Sequence, residues 1–170
     1  LAELIRRVAE FSGVKLLAYS VMSNHFHVFV YIGRPESLSD AEIVRRISAL
    51  YSDVRFERVM KKWNELAKRP DSPSFRRYRA SFLRRMWNAS EFMKTLKQRV
   101  SQWYNSNYSH EGTLWSGRFK SVLVEDGRYL NNLIAYIHGN PIRAGIVTRA
   151  ADYKWSAPGA AAKGDARAKK

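Results

Sequence analysis

The chain has 170 residues, enough for one domain with a sizeable insertion, and 45% of them are apolar, enough for a packed core. Thirty lysines and arginines against 15 acidic residues leave a net charge of +15 at pH 7, the balance of a protein that meets a polyanion, most commonly nucleic acid. The lack of cysteine excludes disulfides, thiolate metal sites and cysteine nucleophiles, and no apolar run approaches the roughly 18–20 residues of a membrane span.

Residues 1–12 place Leu1, Ile5, Val8 and Phe11 on one helical face, and Gly13 ends that helix. The sequence opens on this helix at Leu1, not at an initiator methionine, and shows no signal-peptide pattern. From 14 to 32 the period changes to that of two strands, or one long interrupted strand, with Ser23 and Asn24 as the turn or bulge and Gly33-Arg34-Pro35 as the stop. Within this stretch, His25-Phe26-His27 alternates faces, so both imidazoles project the same way. Two neutral imidazoles roughly 6–7 Å apart on one strand face can converge on a divalent cation. The plainer alternative is a pair of histidines satisfied at a sheet surface.

Ser39-Asp40-Ala41-Glu42 is a capping box for a helix through Ile43, Ile47 and Leu50. An interrupted helical pattern follows to residue 89, with a loop expected at 69–73. The segment 45–99 carries 16 basic and 5 acidic residues, most of the excess charge. Arg76, Arg77, Arg79, Arg84 and Arg85 are interleaved with Phe75, Tyr78, Phe82 and Trp87. Basic side chains grip phosphates and aromatic faces can stack on unpaired bases. Here the aromatics are expected to face inward and the arginines to face nucleic acid. A further helix from Asn88 or Ser90 aligns Phe92, Leu96, Val100 and Trp103, with Lys94, Lys97 and Arg99 largely off that stripe and free to line a DNA groove. Residues 105–112 are expected as a polar loop, in which His110 and Glu111 are given no role.

The run GRFKSVLVE, carrying Arg118 and Lys120, reads as a strand, and Asp126 is placed to cap a last helix through His138. In that helix Leu130, Leu133, Ile134 and Ile137 form the buried stripe. Asn132, Tyr136 and Asn140, at i, i+4 and i+8, line its flank with Tyr129, while His138 projects to nearly the opposite side. A tyrosine in such a place is ordinarily a packed aromatic. The asparagines beside it make the flank more than that, since an amide oxygen suits a hard cation such as Mg²⁺ or Mn²⁺, and Asn140 could complete a site with His25 and His27. Arg118, Lys120 and Arg143 are candidate phosphate contacts. Pro141 is expected to end the helix and to fix the chain after Asn140, and residues 159–170 have too little apolar content to fold, so that a disordered tail is expected there. The element order suits a single α+β domain over 1–158, an antiparallel sheet covered by helices, with a basic helical insertion at about 39–89.

The motifs MSNHFHVFV, GTLWSGRFKS and YLNNLIAYIHGNPIRAGIV, in this order, resemble those of the Y1 transposases of the HUH superfamily. The nearest likeness is to the REP-associated tyrosine transposases, which are similar to the IS200-type enzymes. The resemblance spans about residues 14–147. It implies a ferredoxin-like antiparallel sheet, a metal motif matched by His25 and His27, and a catalytic tyrosine matched by Tyr136. Asn140 stands where the family places a third metal ligand. The implied activity is metal-dependent cutting and rejoining of single-stranded or hairpin DNA through a 5′-phosphotyrosine intermediate, with Mg²⁺ or Mn²⁺ as cofactor. A bacterial, cytoplasmic, nucleoid-associated protein, acting in some relatives as a homodimer, is the corresponding expectation. Two departures are visible: members begin with a strand before the first helix, and residues 39–89 exceed what compact members need. A domesticated, non-catalytic hairpin-binding module and a metal-dependent hydrolase using activated water are the alternatives.

Overall fold

Helix α1, Ala2–Ser12, buries Ile5, Val8 and Phe11 completely, as its spacing requires. It stops at Gly13, where φ is +65° and where an added Cβ would run into the guanidinium of Arg46. Only glycine meets both conditions cheaply. The chain then forms an antiparallel pair, β1 (Lys15–Val21) and β2 (Phe26–Tyr31), joined by a tight turn in which Met22 N–H donates to His25 O at 2.8 Å. The computed structural model describes residues 1–124 and 127–168, with the backbone alone at Arg128 and Arg167. Among these residues the protein is α+β, with seven α-helices and this one two-stranded sheet.

The helices after the hairpin are α2 (Asp40–Leu50), α3 (Asp53–Ala67), α4 (Pro73–Leu83) and α5 (Ala89–Tyr108). Three of them start on side-chain caps: Ser39 accepts from Glu42 N–H, Ser72 from Phe75 N–H and Asn88 from Glu91 N–H. Each such cap is worth roughly 1 kcal/mol. Glu42, bonded first by Arg45 and then by Arg46, has its carboxyl pulled down to about 2.

The chain divides into two compact units. The helical unit comprises Leu4–Lys15 and Ile32–Trp115, so it reaches beyond 39–89 on both sides and takes in most of α1. Its core holds Ile43, Ile47 and Leu50 of α2, Trp63 of α3, Phe75 and Phe82 of α4, and Phe92, Leu96 and Val100 of α5. The aromatics of α4 face inward: Trp63 meets Phe75 at 5.2 Å and Phe82 at 6.2 Å between ring centroids. Trp103 does not continue the α5 stripe. It is 53% exposed and stacks edge-on with Tyr108, because α5 runs on through the expected polar loop to Ser109, which closes the helix at φ 48°. Asn107 Nδ2 donates to Trp103 O at 2.7 Å, so a polar side chain serves the helix there instead of ending it.

The second unit comprises Leu1–Glu3, Leu16–Tyr31 and Ser116–Lys170, and contains α6 (Gly127–Arg143) packed on β2. Residues 117–124 form no strand: Val122 and Leu123 are 89% and 83% exposed. Strand propensity without a partner edge does not make a strand. Asp126 and its expected cap lie outside the described residues. Pro141 does not end helix α6 as expected: it is fully buried inside the helix, which continues to Arg143.

The C-terminal stretch is structured where disorder is expected. Ser156 bridges Ser20 antiparallel, Val21 N–H donates to Trp155 O at 3.0 Å, and Tyr153 Oη donates to Val21 O at 2.6 Å. These contacts satisfy the free edge of β1. Ser156 then caps α7 (Ala157–Ala162), whose Gly159 sits so close to the Tyr153 carbonyl that a Cβ has no room, and a 3₁₀ turn follows at Ala166–Ala168. Low apolar content is offset by alanine helix propensity and by packing of α7 against the 3₁₀ turns at Ala150–Asp152 and Ala166–Ala168.

Candidate functional site

The turn and the helix bring three of the singled-out residues together within one unit. His25 stands just ahead of β2 and His27 is its second residue. Their rings meet edge-on, 5.0 Å between centroids. Tyr136, in the middle of α6, faces His27 at 6.1 Å in the same edge-on manner. The contact follows from α6 packing on β2, since Ile137 (3% exposed) and Pro141 hold the helix down while its neighbour Tyr136 stays 47% exposed. A phenol in that position is open to a large substrate.

Electrostatics favour ligation over protonation. Burial lowers the pKa of His27 below 6.5, and the nearby His25 and Arg143 lower it further, so its imidazole is neutral at pH 7. His25 Nδ1 lies 2.7 Å from Asn24 Oδ1. An amide oxygen only accepts, so Nδ1 is the donor, and in a neutral ring that tautomer leaves the Nε2 lone pair for a metal, the orientation a second partner gives to a metal-bound histidine. Asn24, expected only as a turn residue, thus has a further use.

Arg143 is the cation of the site. Its guanidinium carbon is 3.9 Å from the Tyr136 ring centroid, and Nη2 donates to Tyr136 O at 2.9 Å and to Asn140 Oδ1 at 3.4 Å. Asn140, one turn beyond Tyr136, also donates from Nδ2 to Ile137 O at 3.5 Å. The fit to a divalent cation is therefore uneven. The two imidazoles suit it, whereas the Asn140 oxygen already accepts a long 3.4 Å bond from Arg143, which leaves one of its two lone pairs for a cation. Among the described residues no group of three or more His, Cys, Asp and Glu side chains is poised to hold a metal. His138 is half-buried, with its pKa lowered by burial and its Nε2 without a hydrogen-bond partner. Tyr129 is 68% exposed.

The other basic candidates separate by their contacts. Arg79 is committed to structure, donating to Asp40 at 2.7 Å and to Leu38 O at 2.6 Å. Lys94 pairs with Glu91 at 3.2 Å, and Lys97 lies over the Trp115 ring. Arg85 and Arg99 converge on Tyr51 together with Arg55, which the sequence did not single out. Arg76, Arg77 and Arg84 are exposed around α4, and Arg118 and Lys120 are exposed in the irregular segment before α6. Among the described residues no helix is long and apolar enough to cross a membrane. No family model, curated protein or solved structure matches the chain.

Proposed function

We propose that this protein is a metal-dependent single-stranded DNA endonuclease and strand transferase of the Y1 transposase type, with Tyr136 as nucleophile. The observation that carries the reading is the grouping of His25, His27 and an exposed Tyr136, with ring centroids 5.0 Å apart for His25 and His27 and 6.1 Å apart for His27 and Tyr136. The hairpin, α6 and the Ser20–Ser156 bridge are compatible with part of the ferredoxin-like sheet that the resemblance implies. The net charge of +15 suits a DNA substrate, whether single-stranded or folded as a hairpin.

A cation such as Mg²⁺ or Mn²⁺ on His25 and His27, joined by Asn140, would draw charge from the non-bridging oxygens of the scissile phosphate. Asn24 holds the His25 ring in its ligating tautomer. Tyr136 Oη attacks phosphorus, the bond from phosphorus to the 3′-oxygen breaks, and the phenolic proton passes to solvent as the 3′-oxygen takes one up. The 5′ end remains ester-linked to Tyr136, and a returning 3′-hydroxyl reverses the step. Arg143, against the Tyr136 ring, supplies positive charge beside the phosphate. Action as a homodimer and a bacterial, nucleoid-associated location belong to the same reading.

The test is to incubate the protein with 5′- or 3′-labelled single-stranded hairpins and Mg²⁺ or Mn²⁺, then separate products on denaturing gels. The expected result is a metal-dependent adduct carrying only the 3′-labelled fragment, lost in Tyr136→Phe and in His25→Ala/His27→Ala. Cleavage that survives Tyr136→Phe without an adduct makes water the nucleophile. Hairpin binding with neither product, over several hairpins, makes the protein a non-catalytic module.

A further inference from the structure

The helical unit concentrates a second set of groups around Tyr51, the residue that closes α2 and is 8% exposed. Four arginines from four parts of the sequence meet it. Arg7 donates to Ala49 O at 2.7 Å and to Tyr51 O at 3.2 Å. Arg55 and Arg99 lie over the Tyr51 ring at 5.0 and 4.9 Å. Arg85 donates to Tyr51 Oη at 3.0 Å and to Thr95 Oγ1 at 3.3 Å. Arg55, Arg85 and Arg99 border a cleft of about 210 Å³ beside Tyr51, lined also by Gln98 and Lys94.

Other arginines of this unit show what a structural role looks like. Arg45 pairs with Glu10 and Glu42, Arg46 with Glu42, and Arg79 with Asp40. Around Tyr51 the described residues provide no such partner for Arg55, Arg85 or Arg99. The one carboxylate on the described lining, Glu91, is taken by Lys94 at 3.2 Å. Arg55 and Arg99 touch ring faces and form no hydrogen bonds among the described residues, so their planar N–H forks are left for a ligand. Arg99 feels the crowding: burial lowers its pKa first, and Arg55, Arg85 and Arg7 all disfavour its charge. A group that neutralises this charge must be anionic, tetrahedral or planar, and small, because the cleft is below the size of a drug-like ligand site.

We propose that the Tyr51 cleft is a phosphate-binding site, filled by a phosphodiester of a nucleic acid strand or by a free phosphate compound. Arg55 and Arg99 take the phosphate oxygens, while Arg85, held by Tyr51 and Thr95, sets the charge behind them. The proposal concerns binding alone and stands apart from the reading of Tyr136.

The test uses the full chain carrying Tyr136→Phe, so that cleavage plays no part, with and without Arg55→Gln/Arg99→Gln. Pyrophosphate binding is read from the shift in Tm, and a labelled single-stranded oligonucleotide is titrated over a salt series. Lys61→Gln/Lys68→Gln, two exposed lysines outside the cleft, controls for loss of general charge. The expected result is a loss of about tenfold or more in affinity with the arginine pair, and for the oligonucleotide a salt slope shallower by about one. The unliganded Tm should stay level or rise, as repulsion is relieved. Loss with the oligonucleotide names a nucleic acid strand as the source; loss with pyrophosphate alone names a free phosphate compound. Unchanged affinity for both, or an equal loss in the lysine control, overturns the site. If the double variant fails to fold, the exposed Arg55→Gln alone should weaken binding about threefold, and no change there overturns it equally.

Discussion

The two units use positive charge in different ways. In the unit of the hairpin and α6, one guanidinium, Arg143, touches Tyr136 and Asn140, and the histidines owe their grouping to short backbone elements. In the helical unit charge is abundant: Arg45, Arg46, Arg79 and Lys94 are tied to Glu10, Glu42, Asp40 and Glu91, and part of the rest gathers around Tyr51. A count of arginines therefore says little about where an anion is held. The contacts each arginine already makes decide it.

The largest effect that would challenge this comparison concerns the core beneath the charges. Leu96 is completely buried, and Leu96→Ala should cost about 3 kcal/mol in denaturant unfolding. A change below about 1 kcal/mol would mean that the helical unit is loosely assembled. Next comes the histidine pair: His25→Ala/His27→Ala should weaken Mn²⁺ binding by more than about a hundredfold in calorimetry, without altering the circular dichroism of the helices. A smaller effect separates structural from ligand-facing arginines. Arg79→Gln, removing a part-exposed ion pair and a bond to Leu38 O, should lower stability by about 1 kcal/mol or less while leaving oligonucleotide affinity within about twofold.

The smallest effect is a titration. His27 should show an NMR midpoint below 6.5, and Arg143→Gln should move it upward, because one disfavouring charge is removed. The sign for stability follows. The folded values of His27 and His138 are lowered, so the unfolded chain takes up protons first, and their contribution is present above about 6.5 and lost as pH falls through that value. A His27 midpoint above 6.5 would contradict the burial and the charges described around it.

Much of the hairpin-and-helix site was legible because it depends on local periods. Tyr136 and Asn140 spaced by four share a helix flank, whatever the rest of the chain does, and the histidine rings meet although His25 falls in the turn ahead of β2 and not in the strand as expected. The capping of α2 by Ser39 was legible for the same reason. Features set by partners distant in sequence were not. Residues 117–124 carry strand-forming side chains but find no described edge, while Trp155 and Ser156 lack a strand signal and yet close the edge of β1. Polarity at 105–108 suggested a loop, but the bond from Asn107 to the Trp103 carbonyl accompanies a helix that continues. The Tyr51 cleft draws Arg7, Arg55, Arg85 and Arg99 from separate elements, and only Arg85 and Arg99 stood out in the sequence. Asn24 shows the same limit on a smaller scale, since its turn position was readable and its bond to His25 was not.

The central claim, that His25, His27 and Tyr136 form one metal-dependent site, is tested most directly by titrating Mn²⁺ into protein with isotope-labelled histidine and tyrosine rings. The account predicts that the His25, His27 and Tyr136 ring signals broaden first and together, ahead of His110 and Tyr129, and recover on chelation. Broadening at His110 first, or uniformly across all rings, would contradict it.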